Sequence, residues 1–279
     1  MDKRILVMPQ FNEGQTVVRV LDEARNYVDA IVVVDDGSTD ESYRLIKEWM
    51  QGKDNVSMIR LEKNRGMSGA LLAGFCRVHG LLESGAIDPD DLVINIDSDG
   101  QHRPDEIPAA VEFLKRHGYD IVLARRDLSG YPRFKRVGNW GLSLWASLLG
   151  GVRYHDVECG FRVMRAAVLP HLLKYFTGLR YGCAQEIGII TALLGFQISN
   201  DLPARINYYR AGARMRDGLV NLAMGLFAFL RVKLGITNNL YVLSRRVSIG
   251  TFMLEPAAAL DSSSDSARPR EAAGAAMGC

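Results

Sequence analysis

The chain has little of several things that would otherwise decide its class. Among 279 residues there are four cysteines, Cys76, Cys159, Cys183 and Cys279, with no C-x-x-C pair and no zinc-ligand spacing. That argues against a disulfide framework and a thiolate metal centre, and suits reduced thiols. The formal net charge is only +2 and no long run of Lys and Arg occurs, which argues against a nucleic-acid partner. No G-x-G-x-x-G follows the first apolar run, so a dinucleotide-binding dehydrogenase is disfavoured. The start, "MDKRILVMPQF", has no apolar secretory core, and a cytoplasmic location is the expectation. The longest apolar stretch, Gly218 to Leu230, has 13 residues, short of the roughly 20 that a membrane span needs.

What is present is a regular alternation. "RILVMP", "AIVVVDD", "VSMIRL", "LVINID" and "DIVLA" read as buried strands. Helices are predicted between them at Gln15 to Tyr27, Ser42 to Met50, Ser68 to Leu82 and Asp105 to His117. Continuous apolar strands alternating with helices predict an α/β fold with a mostly parallel central sheet covered on both faces. Beyond Ser129, "GYPRFKRVGNWG" reads as a basic loop and Leu142 to Leu149 as a helix. "YHDVECGFRVM" reads as a strand or hairpin returning to the sheet, "AQEIGIITALLGF" as a helix, and "QISNDLPARINYY" as an extended segment interrupted by Pro203. The expected division is 1–216 as the main domain, 217–250 as an apolar helical segment facing a membrane or partner, and 251–279 as a disordered tail.

Charge is distributed unevenly along this pattern. Glu83 to Glu106 carries eight acids and one basic residue, whereas Pro203 to Arg246 carries eight basic residues and one acid. Two acidic turns, "DDGSTD" and "DSDGQH", fall at the carboxyl ends of strands, where open α/β sheets bind ligands. The first could be only a strand end with Ser38 or Thr39 capping the next helix. Asn12 and Glu13 would face the same crevice. In the second, Asp97, Asp99 and Gln101 alternate and so point one way in extended geometry. Three oxygen donors suit a hard divalent cation that keeps other positions for water and phosphate oxygens. His102 reads as supporting the turn or starting the next helix, not as a ligand. His155, Trp140 and Trp145 read mainly as packing.

"PQFNEG", "VVDDGSTD", "NRGMSGALLAG", "NIDSDGQHRPDEI", "CGFRVMR", "AQEIGI" and "YYRAGAR", in this order, resemble family 2 glycosyltransferases of the GT-A fold. The subgroup they resemble is the dolichyl-phosphate and polyprenyl-phosphate sugar synthases. The resemblance implies that Pro9, Phe11 and Glu13 hold the base and ribose of a nucleoside diphosphate sugar, GDP- or UDP-linked, with Asp36 or Asp35 on base or ribose. It implies that Asp97, Asp99 and Gln101 bind Mg2+ or Mn2+ on the donor pyrophosphate. Arg133 and Arg136 fall in the family's first basic loop and Arg210 and Arg214 in its second. Asn139 stands where the family often has Ser. Asp156 and Glu186 lie in segments that face the acceptor, and either could be a base or a buried, paired carboxylate.

The implied reaction is metal-dependent, inverting sugar transfer. A polyprenyl phosphate acceptor is already ionised, whereas a hydroxyl acceptor needs a carboxylate base. Cationic "RAGARMR" beside the apolar 218–230 stretch favours lipid phosphate and peripheral contact with the cytoplasmic face of a membrane. A hydroxyl acceptor, a helix that instead closes the core or joins two copies of the chain, and a non-catalytic sugar-nucleotide binding module stay open at this point.

Overall fold

A computed structural model describes residues 2–179, 181–206 and 215–239. Its frame is a seven-stranded sheet in the order β3-β2-β1-β4-β7-β5-β8. β1 (Arg4–Gln10), β2 (Ala30–Asp35), β3 (Val56–Arg60) and β4 (Leu92–Asn95) are parallel neighbours. β5 (Ile121–Leu123) joins through β7 (Arg162–Arg165), which runs antiparallel to both β4 and β5, and β8 (Ile198–Ser199) pairs parallel with β5. β6 (Arg125–Arg126) and β9 (Pro203–Ala204) form a separate two-stranded ribbon. Pro203 therefore opens a short strand, where its missing N–H costs little.

The continuous apolar runs are explained by two separate cores. Ile5, Val7, Val32, Val34 and Val93 face one layer, containing α3 (Met67–Glu83), α6 (Val168–Leu173) and α7 (Cys183–Leu193). Their strand neighbours Leu6, Met8, Ile31, Val33 and Ile94 face the other, containing α1 (Gln15–Ala24), α2 (Ser42–Trp49) and α4 (Ile107–His117). Strand side chains alternate between faces, so a sheet covered twice buries both sets and favours apolar residues at nearly every strand position. α3 comes closest: a Cβ on Gly74 would lie 2.4 Å from Val7 Cγ1, so only glycine allows this approach.

The sequence expectations need correction beyond residue 129. The segment expected as a basic loop is the start of α5 (Arg133–Gly150), a single helix preceded by Pro132. Gly138 and Gly141 obscured it, because glycine lowers helix propensity by about 1 kcal/mol. Trp140, expected to pack, is 65% exposed. Trp145 does pack, its Nε1 donating to the Leu222 carbonyl at 3.0 Å. The apolar 218–230 stretch lies in α8 (Met215–Lys233), which together with Ala146 of α5 and α7 extends the first core through Ala228. Among the described residues no helix is long and apolar enough to cross a membrane. The expected tail at 251–279 and the segment 240–250 lie outside the described residues.

Candidate active site

The order β3-β2-β1-β4 makes the gap between the carboxyl ends of β1 and β4 a topological switch point, the usual crevice for a ligand. On its β1 side Pro9 is buried, Phe11 is 40% exposed, and Asn12 takes a left-handed φ of 53°. The Asn12 side chain explains that conformation: its Oδ1 accepts from the backbone N–H groups of Thr39 at 2.9 Å and Asp40 at 3.3 Å. Its own N–H donates to Ser38 Oγ at 3.0 Å. The "PQFNEG" and "DDGSTD" segments are thus one unit, with Glu13 half-buried at its rim.

Below them the two aspartates at the carboxyl end of β2, Asp35 in it and Asp36 just after it, do different things. Asp35 is fully buried, bonded by Gln10 Nε2 and the Ser38 N–H, with Arg60 Nε 3.4 Å from Oδ2. Burial pushes its carboxyl up, and the Ser38 bonds moderate the shift. Asp36 accepts from the N–H groups of Arg65 at 2.7 Å and Gly66 at 2.8 Å, just before α3. Its oxygens therefore tie "NRGMSG" to the sheet, and burial raises its pKa to about 6 despite those bonds. Gly37 must be glycine, with φ 72° and a Cβ position only 2.9 Å from the Lys63 carbonyl carbon.

The second acidic turn follows β4. Asp97, Asp99 and Gln101 are half-buried, while Ser98, Gly100 and His102 between them are buried, so the alternation persists through the turn. Asp99 accepts from the Gln101 N–H at 2.9 Å and from the Gln101 side-chain amide. His102 Nε2 lies 3.5 Å from Asp97 Oδ2. Burial would raise the Asp97 carboxyl, but His102, Arg162 and Arg126 outweigh it and hold it below the ordinary value. Under the turn, a Cβ on Gly160 would fall 2.0 Å from Asp97 Oδ2, so this residue's lack of a side chain sets where Asp97 can be. The donor set is all oxygen, half-open to solvent, and includes a carboxylate kept charged. It fits a hard divalent cation completed by phosphate oxygens and water, not a closed protein cage. Among the described residues no cluster of three or more His, Cys, Asp or Glu is grouped as a metal site.

The third side is a buried ion pair. Arg126 donates to Asp156 twice, Nε to Oδ2 at 2.7 Å and Nη2 to Oδ1 at 2.8 Å, and its backbone N–H adds a bond at 3.0 Å. Nη2 also donates to Asn139 of α5 at 3.1 Å, which links the pair to the helix bearing Arg133 and Arg136, both exposed. Glu186, in the first turn of α7, is buried and bonded by Thr177 Oγ1 and the Thr177 N–H. Burial raises its pKa to about 7. The folded state thus binds a proton that the unfolded chain releases near pH 4.5, so this group's stabilisation is complete at low pH. It is lost as pH rises to about 7. Glu186→Gln should remove that slope, gaining on the wild type by about 2 kcal/mol at pH 8 relative to pH 5; urea midpoints at the two pH values measure it.

The structure brings Pro9, Phe11, Glu13, Asp35 and Asp36 to one unit and Asp97, Asp99 and Gln101 to the adjacent turn. Arg210 and Arg214 lie outside the described residues. Three groups were not singled out from sequence. Arg162, 3% exposed, donates Nη1 to Asn95 Oδ1 at 2.9 Å beneath the acidic turn. Arg126 and Glu158 are the other two. Asp97's dependence on Gly160 and Arg162 points to "CGFR" as the signal, since an Arg in an otherwise apolar strand needs an acceptor or a counter-charge.

Residues 5–173 match the profile of Glycosyl transferase family 2. A UDP-N-acetylglucosamine–dolichyl-phosphate N-acetylglucosaminyltransferase of Methanococcus voltae is 31% identical over 208 residues, covering 68% of this chain and 80% of that protein. An undecaprenyl-phosphate mannosyltransferase of Micrococcus luteus is 26% identical, covering 79% and 90%. Among solved structures, glucosyl-3-phosphoglycerate synthase of Mycobacterium tuberculosis in complex with Mn2+, UDP and phosphoglyceric acid superposes with a TM-score of 0.57 at 19% identity, covering 83% of this chain and 78% of that one. That likeness shows the GT-A fold. With the profile spanning well over half of the chain, the protein belongs to glycosyl transferase family 2 and is a glycosyltransferase.

Proposed function

We propose that the protein moves a sugar from a nucleoside diphosphate donor to a polyprenyl phosphate, with a divalent cation and inversion at the anomeric carbon. The observation that carries the acceptor assignment is the state of its two candidate bases. Asp156 is 1% exposed in its side chain with both oxygens engaged by Arg126, and Glu186 is fully buried on Thr177. A hydroxyl acceptor requires a carboxylate it can touch, whereas a lipid phosphate brings its own negative oxygen. The names of the archaeal and bacterial relatives, which act on dolichyl and undecaprenyl phosphates, support the same acceptor class.

In this reading Asp97, Asp99 and Gln101 hold the cation, which when bound offsets charge on the leaving diphosphate. The Asn12–Ser38 unit orients the nucleoside. Arg133 and Arg136, in the first turn of α5, face phosphate oxygens, for which the guanidinium fork is suited. A phosphate oxygen of the lipid attacks the anomeric carbon as the bond to the diphosphate breaks, and no protein group takes a proton.

The lipid must reach this site, and α5 offers a surface for it. Phe134, Val137, Leu144 and Leu148 recur at helical spacing with 64, 65, 43 and 69% exposure, next to Trp140. An apolar stripe headed by exposed arginines suits the interface of an anionic bilayer. Purified protein given labelled UDP- or GDP-sugars and polyprenyl phosphate in anionic vesicles should place label in the lipid fraction only with Mg2+ or Mn2+. Trp140→Glu should lower vesicle binding severalfold. Label entering only hydroxyl acceptors would overturn the lipid assignment.

A further inference from the structure

The turn that leads into β7, beneath the acidic turn, carries one carboxylate whose role the reaction above does not use. Glu158 stands two residues before Gly160, the residue whose Cβ position lies against Asp97. It is half-buried, and Arg162 lies within electrostatic reach of both it and Asp97. Two amides hold it. Gln185 Nε2 of α7 donates to Oε1 at 3.0 Å, and Asn221 Nδ2 of α8 donates to Oε2 at 3.0 Å. Both donors are neutral, and burial, moderated by the Gln185 bond and Arg126, raises the carboxyl's pKa.

A carboxylate has about four acceptor positions, and these amides fill two. The carbonyl oxygens of the same amides add further unused acceptors. Gln185 is 0% and Asn221 4% exposed, yet Gln185 Oε1 and Asn221 Oδ1 have no protein donor among the described residues. Buried polar atoms without partners usually mark a missing ligand or water. The unused groups of Glu158, Gln185 and Asn221 are acceptors, beside an Arg162 Nε–H unpartnered among the described residues, so the complement is a hydroxyl-rich group that can donate to the three and accept from the arginine. If its purpose were only to fasten α7 to α8, a neutral side chain would do so without the cost of burying a charge.

We propose that Glu158, held in place by Gln185 and Asn221, reads the transferred sugar by accepting hydrogen bonds from its hydroxyl groups. This rests on the donor diphosphate lying at Asp97 and Asp99, which would bring the attached hexose over the 158–160 segment. A charge-assisted bond from a sugar hydroxyl is worth about ten- to a hundredfold in discrimination.

The test compares wild type with Glu158→Gln and Glu158→Ala on a panel of UDP-glucose, UDP-galactose, UDP-N-acetylglucosamine and GDP-mannose, with the metal-dependent affinity for UDP and GDP measured alongside. The expected result is a drop of about tenfold or more in kcat/KM for the preferred donor. The ratio between that donor and its epimer should shift, while affinity for the free nucleotide stays within about twofold. All donors falling in proportion, together with a lower melting temperature, would make Glu158 a fastener between α7 and α8 and overturn the proposal. An unchanged donor ratio in a variant as stable as wild type would overturn it equally. A wild type whose nucleotide binding ignores metal would instead remove the diphosphate placement, a failure separable from that of Glu158.

Discussion

Asp99→Ala should reduce sugar transfer by about a thousandfold while the protein still folds. Removing one preorganised group that acts on charge developing in the transition state costs about two to three orders of magnitude in kcat. The loss here should be at the upper end, because Asp99 also holds the turn, accepting from the Gln101 N–H and side-chain amide. Stability should change little. Asp99 is half-buried, and the bonds it makes within its own turn contribute about 1 kcal/mol each. Activity within tenfold of wild type would mean that the acidic turn does not serve the leaving diphosphate. Loss of activity with an unfolded protein would leave Asp99→Asn, nearly isosteric, as the deciding variant.

Arg126→Met should have the largest effect on stability. It leaves Asp156, 1% exposed in its side chain, with only the backbone N–H of residue 126. Breaking a buried ion pair from one side costs about 3–5 kcal/mol, because the remaining charge is uncompensated. Adding Asp156→Asn should restore more than half of the loss, since a neutral amide can be buried at lower cost. Urea denaturation of the single and double variants measures both. A single-variant loss below about 1 kcal/mol would show that Asp156 finds solvent or another cation. Because Arg126 also bonds Asn139, the same change should weaken the placement of Arg133 and Arg136 on α5.

What could be read from sequence, and what could not, follows from how local each signal is. β1 and β2 are legible because a strand buried on both faces has to be a continuous apolar run. The acidic turn is legible because alternation is set by the backbone, and Asp97, Asp99 and Gln101 remain on one side even after the strand has ended. α5 was hidden by Pro132 and two internal glycines, which read as loop although Pro is well suited to precede a first helical turn. The pairing of Arg126 with Asp156 spans 30 residues and depends on β6 and the loop before β7 coming together. No spacing rule points to it. Asp36 falls in the motif expected for base or ribose, but that its oxygens also accept from the Arg65 and Gly66 N–H groups just before α3 is a tertiary fact with no local signal. Glu158 drew no notice because its partners come from α7 and α8, 27 and 63 residues away.

The central claim is that the turn of Asp97, Asp99 and Gln101 receives a nucleoside diphosphate through a divalent cation. Calorimetric titration of UDP and GDP into wild type and Asp99→Ala, each with and without Mn2+, addresses it without needing the acceptor. The expected result is that Mn2+ tightens binding of one nucleotide to wild type by about tenfold or more and has no such effect on Asp99→Ala. Equal affinity with and without Mn2+ in the wild type, or an undiminished Mn2+ effect in Asp99→Ala, would contradict it.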